Sequence, residues 1–166
     1  FLFEILVDSL KQISKKYGVD VPWYIMTSRE NNNQTQKFLE EHSYFGYPSE
    51  KVKLFMQGEL PLIDTNGKIL LDKNGCIKEA SDGNGGIYEA INKNGVLQDM
   101  KQKGIEWIFI GGIDNILLNI SDPILIGLTV KQRNLIASKS VVKSNPKERV
   151  GVFGRVNGKP KVIEYT

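Results

Sequence analysis

The chain has 166 residues, with 22 Lys and Arg against 19 Asp and Glu, giving a formal charge of +3. A content of 40% hydrophobic and 25% charged residues suits one globular domain with a buried core and argues against extended disorder. One cysteine, Cys76, and one histidine, His42, exclude an internal disulfide, cysteine- or histidine-rich metal sites, and any triad that needs a second imidazole. Apolar runs such as 107–110 and 124–126 fall far below the roughly 18 residues of a membrane helix. A lone cysteine points to a reducing compartment, so a cytoplasmic setting without membrane partners is expected.

In chain order, Leu6, Leu10, Ile13 and Tyr17 recur at helical spacing, and Gly18 ends the pattern. The chain opens at Phe1 without Met and already inside this helix, which reads as a truncated or processed polypeptide. Pro22–Met26 is apolar on both faces, the signature of a buried strand. Thr27 and Ser28 are candidate caps for a polar helix over 32–42, broken by Gly46-Tyr47-Pro48. Val52–Met56 is a second strand. From Leu62 to Gly95, Asn-Gly pairs at 66–67, 74–75, 84–85 and 94–95 punctuate short segments; type I′ hairpin turns are expected at least at the first two. Ile105–Ile110 is the strongest strand pattern, ending at Gly111–Asn115. Ser121 or Asp122 opens a helix over 123–132 with Pro123 near its first turn. The remainder, 135–142, 150–156 and 161–165, alternates as strands around Asn157-Gly158. Helices alternate with strands early and strands dominate late, which predicts an α/β or mixed sheet.

Three features carry chemistry. The repeated Asp/Asn-x-Asn-Gly invites a calcium-loop reading, but an EF-hand needs a bidentate carboxylate at its twelfth position. Counting from Asp64, Asp72 and Asp82, that position holds Gly75, Gly83 and Lys93, so every loop fails. The segment Asp82-Gly83-Asn84-Gly85-Gly86 differs from the other turns. It places three glycines in four positions before a helix start at Ile87, so backbone N–H groups could approach a ligand closely. A plain turn is the competing reading.

Asp114 follows a strand pattern, where open α/β sheets bind ligands and a carboxylate can hold Mg²⁺ beside phosphates; strand termination is the alternative. From Ile120 onward nine Lys or Arg face three acids. Solvated strand faces explain this most simply, and a phosphate-rich ligand would also suit it. Nucleic acid is the rival, unsupported by any recognised binding motif.

Several ordered segments carry a family resemblance. They are Pro22–Ser28, Tyr44-Phe45-Gly46, Gln57-Gly58-Glu59-Leu60-Pro61, Asp82–Tyr88, Asp114-Asn115, Asp122-Pro123, Asn145-Pro146 and Val162–Tyr165. Together they resemble eukaryotic-type UDP-N-acetylhexosamine pyrophosphorylases, which are UDP-sugar uridylyltransferases. Gln-Gly-x-Leu-Pro followed by Asp-Gly-Asn-Gly-Gly-x-Tyr favours the N-acetylhexosamine branch over UDP-glucose pyrophosphorylases. The resemblance implies an α/β, Rossmann-like (glycosyltransferase-A-like) mixed sheet flanked by helices. Residues 1–166 would be the central part of one nucleotidyltransferase domain.

It also implies conversion of UTP and N-acetylhexosamine 1-phosphate into UDP-N-acetylhexosamine and pyrophosphate, with Mg²⁺ or Mn²⁺. By the same resemblance Gln57, Gly83 and Asp114 bind the nucleotide, with Asp114 also at the metal. Asn84, Gly151, Glu164 and Tyr165 then contact the sugar, and no residue is assigned to catalysis. His42 matches no role and reads as structural. The family's Gly-rich phosphate loop, a second metal-binding aspartate and phosphate-contacting lysines are absent from these 166 residues, so the isolated chain is expected to lack appreciable activity. A broader UDP-sugar pyrophosphorylase and a non-catalytic nucleotide-binding module stay open as alternatives.

Overall fold

In the computed structural model, which describes residues 1–164, the first helix α1 runs Leu2–Tyr17. It stops at Gly18, whose φ of 69° lets its N–H bond Ser14 O, a conformation that costs a side-chain-bearing residue free energy. Strand β1 (Trp23–Thr27), helix α2 (Asn32–Glu41) and strand β2 (Val52–Met56) then form a β-α-β unit. The strands pair in parallel, from Trp23↔Val52 to Thr27↔Met56. Because alternate residues point to opposite faces, this short ladder builds two cores. Trp23 and Val52 pack with Val7 and Leu10 of α1 and with Tyr47. Tyr24, Met26 and Phe55 pack with helices α3 (Ile87–Lys93) and α4 (Val96–Gln102). On that second face Tyr24 donates its hydroxyl to Asp99 at 2.5 Å, and Lys103 pairs with the same carboxylate at 2.8 Å.

The cap of α2 differs from the expected one. Asn31 precedes the helix, and Ser28 and Asn31 bond each other reciprocally through side chain and backbone, closing a turn before the helix instead of capping it. The helix end is also unusual. Ser43, Tyr44, Phe45 and Gly46 all have positive φ, between 48° and 73°. A left-handed run costs roughly 1–2 kcal/mol per non-glycine residue. Lys11 Nζ bonding the Phe45 carbonyl, and Phe45 packing on Phe38 and His42, hold it. His42 itself lies against Phe38, and its Nδ1 is 2.8 Å from the Phe38 carbonyl. A carbonyl only accepts, so Nδ1 carries the hydrogen.

Strands β3 (Glu59–Pro61) and β4 (Glu79–Ser81) pair antiparallel, and two hairpin turns lie between them, bridged at Ile63↔Ile69 and Leu71↔Ile77. The hairpins form as expected, but their turns are not type I′. Gly67 and Gly75 take positive φ while Asn66 and Asn74 do not. The cause is the preceding aspartate. Asp64 Oδ1 accepts the N–H groups of Asn66 and Lys68, and Asp72 Oδ1 those of Asn74 and Cys76, at 2.8–2.9 Å.

Two expected strands are absent among the described residues. Residues 105–110 and 135–142 join no ladder, and Leu135, Ile136, Val141 and Val142 are more than four-fifths exposed. Apolar sequence signals a wish for burial, whereas a strand also requires a hydrogen-bonding neighbour.

The described chain forms two compact units, Phe1–Asp122 and Pro123–Thr166. The second holds α5 (Pro123–Lys131), with Pro123 as its first residue, and the antiparallel pair β5 (Val152–Val156) and β6 (Lys159–Ile163). Asn157 and Gly158, at φ 52° and 77°, make the two-residue turn that the Asn-Gly pair demands. The class is therefore mixed α/β, with two-stranded sheets among the described residues. No described helix is long and apolar enough to cross a membrane.

Candidate functional site

The polar chemistry of the first unit collects where β1 and β2 end. Thr27 is buried, and its hydroxyl reaches Asn32 Oδ1 at 2.7 Å and the Phe55 carbonyl at 3.2 Å. The Thr27 carbonyl accepts the Gln57 N–H at 2.8 Å, carrying the ladder one step past β2. Gly58 O then accepts the Asp82 N–H at 3.1 Å, which extends the β3–β4 pairing in the other direction. The two extensions set the Gln57–Gly58 corner beside the Asp82–Gly86 loop.

Within that corner Gln57 Nε2 donates to Ser81 Oγ at 2.6 Å. The bond orients the amide and leaves its oxygen and second N–H for a ligand, one acceptor and one donor on a single side chain. Arg29, just beyond β1, reaches Glu59 at 3.2 Å and Glu79 at 3.6 Å, tying both strands of the ribbon to the same edge. At the loop, Gly83 has φ 86° and ψ 174°, a region essentially closed to residues with a Cβ. Asn84 opens a short 3₁₀ turn that leads into α3 at Ile87, where the sequence places a helix start. A cleft of about 90 Å³ runs between the corner and α3, lined among others by Gln57, Asp82, Lys93 and Asn94. Lys93 pairs with Glu89 at 2.6 Å; that bond holds the lysine above its usual pKa and the glutamate below its own.

Gln57, Gly83 and Asn84 are thus brought to one edge. Asp114 stands in the turn after residues 105–110, where its carboxylate lies over Gly112 and Asn115 N–H bonds Gly112 O at 3.3 Å. Among the described residues no hydrogen bond or ion pair joins Asp114 to Gln57, Gly83 or Asn84. In the second unit Gly151 and Glu164 face each other one step beyond the Val152↔Ile163 pair. A Cβ on Gly151 would sit 2.9 Å from Val162 Cγ1 and 3.5 Å from a Glu164 oxygen. Beside them opens a cleft of about 440 Å³ bordered by Lys143, Lys147 and Arg149. It also holds Glu148, whose carboxyl is kept below its usual pKa by the backbone N–H and hydroxyl of Ser144. Tyr165 lies outside the described residues. Sequence reasoning missed Ser81 and Arg29, whose roles follow from strand register and leave no local pattern.

No described group of three or more His, Cys, Asp or Glu is placed to hold a metal. Asp114 offers one hard oxygen ligand. That donor fits Mg²⁺, which keeps its waters and is bound through one or two carboxylates plus substrate phosphates.

Comparison with known proteins gives a consistent relationship. A family model described as UTP–glucose-1-phosphate uridylyltransferase matches residues 1–166. The chain is 38% identical over 169 residues to UDP-N-acetylglucosamine pyrophosphorylase of Saccharomyces cerevisiae, covering 99% of this chain and 35% of that protein. It is 42% identical over 146 residues to UDP-N-acetylhexosamine pyrophosphorylase-like protein 1 of Mus musculus, covering 88% of this chain and 29% of that protein. Among solved structures, the uridine diphosphate N-acetylglucosamine pyrophosphorylase of Trypanosoma brucei, in complex with an inhibitor, superposes with a TM-score of 0.88. Its identity is 35%, with 99% of this chain and 35% of that one covered. The chain spans about a third of the length of these relatives. By a match over its whole length, it belongs to the UTP–glucose-1-phosphate uridylyltransferase family.

Proposed function

We propose that this chain is part of a uridylyltransferase that joins UTP to N-acetylhexosamine 1-phosphate, releasing pyrophosphate and UDP-N-acetylhexosamine. The parallel β1–β2 pair is read as a piece of a Rossmann-like nucleotidyltransferase sheet. The observation that carries the function is the Gln57 amide, oriented by Ser81 beside the glycine-only backbone of Gly83. Uracil presents an N–H between two carbonyls, which one amide can match with its oxygen and its free N–H. Gly83, lacking a side chain, lets the base or ribose approach the backbone. Names of the relatives support the substrate class.

In the reaction a phosphate oxygen of the sugar phosphate forms a bond to the α-phosphorus of UTP as the α–β phosphoanhydride bond breaks. Pyrophosphate leaves with the electron pair. No covalent nucleophile is required; the protein positions two polyanions. Mg²⁺, or Mn²⁺ in its place, would neutralise phosphate charge when bound, and Asp114 is the residue that would hold it. Asn84, Gly151, Glu164 and Tyr165 are assigned to the sugar, whose hydroxyls and N-acetyl group suit amide and carboxylate partners.

The test is Gln57→Ala in the full encoded polypeptide, measured by UTP-dependent pyrophosphate release. Loss of two hydrogen bonds at a net of about 1 kcal/mol each predicts roughly a 30-fold loss of kcat/KM for UTP. An unchanged kcat/KM would remove Gln57 from base recognition.

A further inference from the structure

The Asp82 side chain occupies a slot that only glycine neighbours leave open. A methyl built on Gly58 would overlap Asp82 Oδ2, and one built on Gly86 would overlap its whole carboxylate. The three heavy atoms nearest to either added carbon all belong to the Asp82 carboxylate. Both glycines have ordinary negative-φ or extended backbones, so their requirement is for space and not for conformation. Gly58 follows Gln57, and Gly86 closes the loop that begins at Gly83. One carboxylate therefore spans the two segments that form the edge described above. Its Oδ1 is buried and has no hydrogen-bond partner among the described residues. An orphaned buried acceptor costs free energy. Its retention here points to shape as what the residue supplies.

We propose that Asp82 is a positioning residue, a wedge between Gly58 and Gly86 that fixes the spacing of the Gln57 corner and the Gly83 loop around the uridine. The consequence for UTP rests on the function proposed above, but the wedge does not. Gly58→Ala and Gly86→Ala should each lower the thermal midpoint of the full encoded polypeptide. Adding Asp82→Ala to either should recover most of the loss, because the methyl then fills the space the carboxylate vacates. Additive losses in the double variants would overturn the wedge, whether or not the protein turns over UTP.

The positioning role has its own readout. A spacing error of about 1 Å predicts roughly a tenfold or larger rise in KM for UTP in Asp82→Ala, with a smaller rise in KM for the sugar phosphate, which meets this loop through Asn84 alone. Asp82→Asn, of the same shape, should restore UTP affinity. Equal losses for both substrates, or no rescue by asparagine, would overturn the positioning role. A wild-type polypeptide inert toward UTP would refute the proposed function and leave the midpoint experiment standing.

Discussion

Val96 offers the sharpest test of how the loop edge is supported. It is fully buried and packs with Phe55, Ala90, Ile91 and Met100, joining β2, which leads to Gln57, to α3, which begins at the glycine loop. Val96→Ala removes two methyl-sized groups, each worth about 0.8 kcal/mol in transfer from water. The cavity left behind raises the total to about 2.5 kcal/mol, since a buried core relaxes only in part. For a cooperative unit of about 150–250 residues that lowers Tm by roughly 5–10 °C, and by less in a larger one. Val19→Ala, at a position 59% exposed, should stay within about 0.5 kcal/mol of wild type. The assay is thermal unfolding of the full encoded polypeptide followed by circular dichroism. Equal midpoints for the two variants would refute the placement of Val96 in this core.

Other outcomes follow from the same geometry. The Asp99 carboxyl is held below its usual value, first by Lys103 and then by the Tyr24 hydroxyl. A lowered carboxyl stabilises the fold above its unfolded pKa of 3.8 and loses that contribution as pH falls through the folded value. The stability gap between wild type and Asp99→Asn should therefore hold steady between about pH 6 and 9 and close as pH falls below the unfolded value of 3.8, as read by urea denaturation across pH. Glycine position decides the sign of a Gly→Ala change. Gly18 sits at positive φ with open space around it, so alanine there should cost about 1 kcal/mol, by thermal melts. Gly127 lies inside α5 with nothing within 4 Å, so alanine there should add about 0.5–1 kcal/mol of stability by the same measurement.

Local signals carried much of the first unit. The α1 stripe with its terminal Gly18, the apolar run of β1, and Val52–Met56 each combine a periodicity with a breaker, and both are readable residue by residue. The Asn-Gly pairs marked turns correctly, but the turn type at 64–67 and 72–75 depends on an aspartate carboxylate reaching forward to two N–H groups. Only at 157–158, where no such aspartate precedes the pair, does the two-residue turn with both residues at positive φ appear. Residues 105–110 misled for a different reason. Their apolar character is real, yet pairing is a property of two segments and cannot be read from one.

The candidate site divides in the same way. Gln57, Gly83 and Asn84 were recognisable through the motifs that contain them. Ser81 and the slot around Asp82 were not, because each depends on which residues the β3–β4 register sets opposite one another. Asp82 is recognisable in the sequence only as part of a glycine-rich turn. That two of the neighbouring glycines exist to admit its carboxylate emerges once Gly58 and Gly86 are seen on either side of it.

Uridine held at the Gln57 corner and the Gly83 loop, as proposed, would shield the backbone N–H groups of both segments. Hydrogen–deuterium exchange on the full encoded polypeptide, with and without UTP, measures this shielding directly. Bound UTP should slow exchange over residues 56–58 and 82–88 and leave the hairpin turns at 64–67 and 72–75 unchanged. Protection elsewhere, with 56–58 and 82–88 unaffected by saturating UTP, would contradict that placement of the uridine.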